Sequence, residues 1–224
     1  MKSLLRVVFI LVAAAAVAQN CPDVAEESHH ELLHQDKVVR IFRLDLPRLA
    51  STDMHCHAHP YFRIVVTDSR TADTLSGDAP VLHDWYPGAT RWMLPSRHKA
   101  RNDTGSPHRE YIVETQRSAE YNPLSGNYDQ DEFTVAAPTA SWTLVSNRGP
   151  LTARKVQLAP GTAVDIPSPD ILLIALTDIE LRGARPDGEP IRLSKGDYRL
   201  LDGAVTGTLR NAGKSPAQFI TVEY

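Results

Sequence analysis

Two short runs carry most of the information in this sequence: His55-Cys56-His57-Ala58-His59, and His98-Lys99-Ala100-Arg101-Asn102 about forty residues later. Side chains alternate between the two faces of a β-strand, so we expect the histidines at 55, 57 and 59 to project to one side. Neighbouring members of this set lie about 6.6 Å apart along a strand, a distance across which two imidazoles can bind one metal ion. A third histidine from a distant strand would complete a metal site with open coordination positions.

The N-terminal segment has the pattern of a secretory signal. Lys2 and Arg6 form a positive start, residues 7–17 are apolar, and residues 16–18 read Ala-Val-Ala, a small-residue cleavage site. The sequence therefore predicts a signal peptide over residues 1–18 and a mature chain that starts at Gln19. We expect that chain to be secreted or periplasmic, with no membrane attachment after cleavage.

Two cysteines, Cys21 and Cys56, are the only thiols of the chain. An oxidising compartment would permit them to pair, and the disulfide would tie the N-terminal arm to the strand with the histidines. Two free thiols, or Cys56 as a soft metal ligand, are the alternatives. Because Cys56 points away from the face of its histidine neighbours, the pattern favours a disulfide or a buried thiol.

The composition indicates an all-β protein. Short runs rich in Val, Ile, Leu and Thr are separated by Pro, Gly, Asn and Asp, which is typical of a β-sandwich or barrel. The sixteen prolines suit edge strands and turns better than helix interiors. The net charge of −3 gives no electrostatic reason to expect a nucleic-acid partner or an anionic membrane surface.

Three segments recur at nearly one spacing. Residues 102–114 align with 211–223 at an offset of 109, residues 64–68 with 174–178 at 110, and residues 88–91 with 196–199 at 108. Such self-similarity predicts a tandem duplication. We expect an N-terminal domain over residues 19–117, a polar linker over 118–149 and a C-terminal domain over 150–224.

The second copy lacks the candidate metal ligands. At the same offsets the three histidines of the first run fall on Asp165, Pro167 and Pro169, and His98 falls on Gly207. We therefore expect only the N-terminal domain to have a metal site.

These motifs resemble those of the cupin superfamily. Its first motif is H-x-H followed after three or four residues by Glu, and its second is P-x-G, two residues, then H-x-x-x-N. His57-Ala58-His59 matches the start of the first, and His98-Lys99-Ala100-Arg101-Asn102 matches the end of the second. The resemblance implies two tandem jelly-roll barrels, a bicupin, with the C-terminal one degenerate. It also implies one divalent metal ion (Fe, Mn, Ni, Zn or Cu) held by His57, His59 and His98, with His55 at the rim.

The chain departs from this family pattern at Arg63. Arg63 and Ile64 stand where the motif has its acid. By strand alternation Arg63 shares the face of the histidines and of Tyr61, so its charge would point into the barrel. One interpretation is that Arg63 binds the carboxylate of a substrate that Tyr61 helps to orient. The other is that Arg63 pairs with an acid such as Asp68 or Glu114 and is structural.

The run His30-Glu31-Leu32-Leu33-His34 matches the H-E-x-x-H motif of zinc proteases. That motif works only on a helix, where histidines four residues apart meet at one ion. This run leads directly into a β-rich segment, and on a strand the two imidazoles would lie about 13 Å apart. The spacing therefore argues against a protease.

Three functional classes follow. The first is a metal-dependent enzyme, dioxygenase-like or isomerase-like, that acts on a small organic molecule. The second is a non-catalytic module that binds a small molecule or a metal, and the third is a structural cupin with a relic site. In the first two classes the partner is a small-molecule ligand or the metal itself; a homodimer is left open.

Overall fold

The computed structural model describes residues 21–116, 133–136, 140–148, 150–166, 170–183, 188–201 and 207–224, and this part of the chain is all-β. A single 3-10 turn, Val24–Glu26, precedes the first strand. Among these residues, no helix has the length and hydropathy needed to cross a membrane. The predicted signal peptide lies outside the described residues.

The N-terminal half forms two antiparallel sheets. Its strands are β1 (His30–Gln35), β2 (Val39–Leu46), β3 (His55–His57), β4 (Tyr61–Val65), β5 (Ser69–Leu75), β6 (Val81–Trp85), β7 (Thr90–Met93), β8 (Ser96–Asn102) and β9 (His108–Thr115). One sheet has the strand order β1-β2-β9-β4-β7, and the other has the order β3-β8-β5-β6.

The C-terminal half also forms two sheets. Its strands are β10 (Phe133–Ala136), β11 (Ala140–Arg148), β12 (Leu151–Leu158), β13 (Ala163–Ile166), β14 (Ile171–Ala175), β15 (Ile179–Arg182), β16 (Ile191–Leu193), β17 (Tyr198–Leu201), β18 (Gly207–Asn211) and β19 (Ala217–Glu223). The orders are β10-β11-β12-β19-β14-β17 and β13-β18-β15-β16. The strands β10 and β11, which lie in the predicted linker, extend the larger sheet.

The two halves share their strand order and one loop structure. The orders β2-β9-β4-β7 and β3-β8-β5-β6 have counterparts in β12-β19-β14-β17 and β13-β18-β15-β16. Asn102 Nδ2 donates hydrogen bonds to the carbonyl oxygens of Leu46 and Ser106, at 3.1 and 2.8 Å. Asn211 Nδ2 does the same in the second half, to carbonyls of residues 158 and 215 at 3.0 and 2.9 Å.

The largest apolar core lies between the two halves, where the outer face of one large sheet packs on that of the other. It joins Val39, Ile41, Phe62, Ile64, Val66, Trp92, Tyr111 and Val113 to Leu151, Ala153, Leu172, Ile174, Leu176, Ile220 and Val222. Polar contacts cross the same interface. Trp92 Nε1 donates a hydrogen bond to Ser146 Oγ, and the Tyr111 hydroxyl donates one to the Gly196 carbonyl at 2.9 Å.

The interiors of the two halves differ in polarity. Ile64 pairs with Tyr111 as Ile174 pairs with Ile220, so Arg63 and Glu110 in the first half correspond to Leu173 and Phe219 in the second. The second interior is a closed apolar cluster that includes Val156, Leu158, Ile171, Leu173, Leu181, Leu209 and Phe219. Buried charged and imidazole groups occupy the first interior instead. The fold therefore leaves room for a polar site in the N-terminal half.

Candidate metal centre

Four buried imidazoles converge inside the N-terminal half. His30 comes from β1, His55 and His57 from β3, and His98 from β8. One ring nitrogen each of His30, His55 and His57 lie within 4.8 Å of one another. The Nε2 atom of His98 lies 3.0 Å from the Nε2 atom of His55, and the rings of His57 and His98 are 5.3 Å apart.

Strand geometry and a disulfide place the two histidines of β3. His55 and His57 are buried on one face, and the register sets His55 directly opposite His98 on β8. Cys56 lies on the other face and forms a disulfide with Cys21. The disulfide decides between the alternatives that the sequence left open for these cysteines.

Hydrogen bonds fix the tautomers of His55 and His30. His55 Nδ1 lies 2.9 Å from the Asp53 carbonyl oxygen, and His30 Nδ1 lies 2.6 Å from Glu27 Oε2. Both oxygens are acceptors, so each Nδ1 donates the proton, and Nε2 is the nitrogen with the lone pair in the neutral ring. Metal-binding histidines are oriented by the same kind of outer contact.

The ring nitrogens of His57 lack a hydrogen-bond partner in the described part of the chain. Its Nδ1 atom lies 3.5 Å from Glu114 Oε1, an oxygen that is also unpaired, and its ring stacks on Tyr61 at 3.9 Å. His98 Nδ1 is unpaired as well. A buried polar atom without a partner costs about 1–3 kcal/mol, and coordination of a metal by the ring nitrogens would remove part of this penalty.

Burial keeps the imidazoles of His55, His57 and His98 neutral. It lowers the pKa of His55 to about 4, and the neighbouring His30 adds to this shift. The pKa values of His57 and His98 are also held well below 6.5, by burial first and then by neighbouring histidines. Burial would raise the pKa of the Glu27 carboxyl, but hydrogen bonds from His30 and His29 outweigh it and lower the value to about 2.

Neutral imidazole is the form that binds a metal ion, and it suits Zn, Cu, Fe and Ni. The unpaired nitrogens of His57 and His98 and the oriented rings of His30 and His55 therefore fit a divalent transition-metal ion.

The structure brings together only part of the predicted ligand set. His57 and His98 lie in the cluster, but His59 is half-buried beyond the end of β3. Alternation holds only while the strand continues, and β3 ends at His57. The pair from the first run is therefore His55 and His57, and His55 lies inside the cluster rather than at its rim.

His30 was not among the metal ligands predicted from the sequence. It lies on β1, opposite Leu44 of β2, and faces the cluster, whereas His34 is half-buried after an irregularity in the same strand. The H-E-x-x-H run is therefore a strand, as the sequence indicated. The sequence feature that could have pointed to His30 is Glu27, an acid three residues earlier that can accept a hydrogen bond from the imidazole and so orient it.

Tyr61 lies beside the cluster as the sequence predicted, stacked on His57 at an interplanar angle of 21°. Burial raises the pKa of its hydroxyl to about 12, so the group stays protonated. The hydroxyl lies 3.5 Å from Ser96 Oγ.

Arg63 is buried and paired with two carboxylates. Its Nη1 atom lies 2.8 Å from Asp73 Oδ2, and its Nη2 and Nε atoms lie 2.8 and 2.9 Å from Glu110 Oε2. The indole ring of Trp85 lies 4.9 Å from the guanidinium carbon. Asp68 and Glu114, which the sequence suggested as partners, were the wrong acids, since β5 carries Asp73 across the interior and Glu114 pairs with Arg40.

The corresponding position in the C-terminal half carries no histidine. Asp165 of β13 faces Thr208 of β18, one residue beyond the predicted Gly207, and Thr208 Oγ1 donates to Asp165 Oδ1 at 2.6 Å. A cross-strand hydrogen bond thus stands where the first half has His55 and His98. Pro167 and Pro169 lie outside the described residues.

No protein-family model and no curated protein matches the sequence. Solved structures do match the fold. A glyoxylate-induced protein from Pseudomonas aeruginosa is 18% identical with a TM-score of 0.62, over 86% of this chain and 76% of that one. The chain has a cupin fold.

Two further cupin-fold structures support the likeness. AerE from Microcystis aeruginosa is 10% identical with a TM-score of 0.60, over 87% of this chain and 90% of that one. A variant of Bacillus subtilis oxalate decarboxylase is 10% identical with a TM-score of 0.59, over 87% and 71%. That decarboxylase has Mn(II) centres. Identities this low indicate the fold and not the reaction.

Proposed function

We propose that the N-terminal half is a metal-binding cupin barrel in which His30, His55, His57 and His98 hold one divalent ion, Fe, Mn, Ni, Zn or Cu. The observation that carries the proposal is the convergence of four buried imidazoles, two of them with Nδ1 bound to an outer acceptor. This set replaces the predicted His59 by His30 and His55.

The wider architecture that we propose is a secreted or periplasmic chain of two tandem barrels, of which only the first keeps a site. The matching strand orders of the two halves support a duplication. The disulfide between Cys21 and Cys56 is compatible with an oxidising compartment.

The activity that we propose is a metal-dependent reaction on a small organic molecule, dioxygenase-like or isomerase-like. When bound, the ion would supply Lewis acidity toward an oxygen of that molecule. Tyr61 supports the ring of His57 by stacking and holds its proton at neutral pH. Arg63 forms ion pairs with Asp73 and Glu110 and so fixes the side chains of the interior beside the histidines.

A second candidate is a non-catalytic metal site. Four imidazoles would fill a tetrahedral coordination set, and structural zinc sites are closed in this way, whereas catalytic sites keep one position open. The number of histidines that bind the ion therefore separates the two candidates.

The experiment is elemental analysis of protein purified without chelator or nickel resin. We expect close to one equivalent of metal in the wild type and in His34→Ala, a change on the same strand as His30 but outside the cluster. We expect none in His57→Ala. Full metal content in His57→Ala, or no metal in the wild type after incubation with Zn²⁺, Mn²⁺, Fe²⁺, Ni²⁺ and Cu²⁺, would refute the site.

His30→Ala distinguishes the enzyme from the closed site. If three histidines suffice and the fourth position is for substrate, His30→Ala keeps metal at reduced affinity. Absorption spectra of the Co²⁺-loaded proteins report the change in coordination. Loss of all metal in this variant would favour the closed site.

A further inference from the structure

The strands β6 and β7 form a seam between the two sheets of the N-terminal half. Each is an edge strand of its sheet, and the described residues show no backbone hydrogen bonds between the two strands. One side-chain contact crosses the seam, where Arg91 Nη1 lies 3.2 Å from His83 Nδ1. Because guanidinium has only donors, Arg91 donates and His83 accepts.

The register shows that side chains along this seam face the interior. Directly opposite residues of antiparallel strands project to the same face. Arg91 is opposite Arg63 and Met93 is opposite Tyr61 on β4, while His83 and Val81 are opposite Thr71 and Asp73 on β5.

The same inward-facing side chains are accessible to solvent. Val81 is 57% exposed, and His83, Arg91 and Met93 are half-buried, although Arg63 and Tyr61 behind them are closed off. The interior therefore opens to solvent at this point. We call Val81, His83, Arg91 and Met93 the mouth; Met93 stands beside Tyr61, which stacks on His57.

Arg91 differs from the other inward-facing arginines in its charge balance. Arg63 is paired with Asp73 and Glu110, and Arg40 with Asp23 and Glu114. Arg91 has no carboxylate within ion-pair distance among the residues that the structure describes, and its one contact is to an imidazole whose pKa burial lowers. Its remaining donors are available to an anion.

The groups around Arg91 restrict which anion fits. Val81 and Met93 offer an apolar surface, and a methionine adapts to irregular shapes. Farther in, Asp73 and Glu110 supply two negative charges against the one positive charge of Arg63, and Asp73 Oδ1 has no partner among the described residues. A second carboxylate on the ligand would meet repulsion there.

We propose that the mouth binds a small monocarboxylate with an apolar body, its carboxylate on Arg91 and its apolar part along Val81 and Met93 toward Tyr61. The inference rests on the proposed function in one respect, since it names the substrate class of the same barrel. It sets this barrel apart from one suited to oxalate, a small dianion without an apolar part.

The test is calorimetric titration of the protein, as purified, with benzoate, with neutral benzyl alcohol and with oxalate. We expect benzoate to bind more tightly than either of the others. In Arg91→Gln, benzoate affinity should fall about tenfold or more while benzyl alcohol binding stays unchanged. Arg70→Gln is the matched control, because Arg70 is exposed and pairs with Asp84 on the outer face.

Benzoate binding that survives in Arg91→Gln, or is absent from the wild type, would overturn the proposal, and so would oxalate binding as tight as benzoate. Metal content measured on the same samples keeps the two proposals apart. A wild type that takes up none of the five metal ions and still binds benzoate through Arg91 refutes the metal site alone. A protein that contains the metal but does not bind benzoate refutes only the proposed carboxylate binding at the mouth.

Discussion

The Nε2 atoms of His55 and His98 lie 3.0 Å apart across strands β3 and β8. The backbone carbonyl oxygen of Asp53 accepts a hydrogen bond from Nδ1–H of His55. The Nε2 atom of the neutral His55 ring can therefore only accept, and Nε2–H of His98 must be the donor. That tautomer leaves the buried Nδ1 of His98 without a partner in the described residues. A metal ion bound by both Nε2 atoms would require the His98 proton to move to Nδ1, so this hydrogen bond and a shared metal ion exclude each other.

The outer contact of His30 predicts a loss of metal affinity on mutation. Glu27→Gln removes the anionic acceptor of His30 Nδ1–H while it keeps the side-chain shape. Removal of such outer partners typically lowers metal affinity about 10–100-fold. Competition between the protein and a chromophoric chelator for Zn²⁺ measures the change.

The control for Glu27→Gln is Glu31→Gln, a change at an exposed acid of β1 that pairs with Arg43. We expect wild-type affinity in this control. Equal affinities for all three proteins would show that Glu27 has no role in positioning His30.

The metal-free protein should lose stability as the pH falls below 6.5. Burial lowers the pKa of His55 from 6.5 to about 4, so the unfolded chain takes up a proton in this window and the folded chain does not. Stability from a lowered histidine pKa is complete above 6.5 and decreases as the pH falls, by about 1.4 kcal/mol per pH unit for each such group. Urea unfolding of chelator-treated protein between about pH 7 and about pH 5 measures the slope.

The buried carboxylates Glu110 and Glu114 affect this measurement differently. Burial raises the pKa of Glu114, so its protonation opposes the histidine effect as the pH falls, and a comparison of wild type with His55→Gln separates the two. The pKa of Glu110 is lowered, with the charge of Arg63 overcoming the effect of burial, so its contribution is complete above the ordinary value of 4.5. His55→Gln should reduce the slope of unfolding free energy against pH, above pH 5, by about 1.4 kcal/mol per pH unit, which corresponds to one proton. An unchanged slope in that variant would show that His55 is not the titrating group.

Local patterns in the sequence predicted the β architecture and singled out three of the four clustered histidines, of which His57 and His98 belonged to the predicted ligand set and His55 was placed at the rim. Strand alternation placed His55 and His57 on one face, and the second motif supplied His98. His59 lies outside the cluster because β3 ends at His57, two residues earlier, and no local pattern in the sequence marks that end. His30 joins the cluster only through the pairing of β1 with β2, and Asp73 reaches Arg63 only across the interior. Both are long-range contacts.

The interior ion network predicts a large cost for removing Arg63. Arg63→Met would leave Asp73 and Glu110 buried without their cation, and breaking a buried pair in this way costs about 3–5 kcal/mol. The exposed pair of Arg70 and Asp84 offers the control, because exposed ion pairs contribute little and Arg70→Met should cost far less than Arg63→Met. Urea unfolding at neutral pH compares the two, and equal losses would contradict the structural role of Arg63.

The disulfide predicts a coupled loss of stability and metal affinity. Cys21 and Cys56 are 35 residues apart, and loop entropy gives such a bridge about 3–4 kcal/mol. The bridge also holds residues 21–30 beside β3, where the Cys56 N–H donates to the Pro22 carbonyl at 2.9 Å, so Glu27 and His30 depend on it for their position. The Cys21→Ser, Cys56→Ser double variant should unfold at lower urea and bind Zn²⁺ more weakly than the wild type. Wild type treated with dithiothreitol and then freed of it under argon should match that variant in both measurements, whereas lower stability with unchanged Zn²⁺ affinity would mean that the arm holds His30 without the bridge.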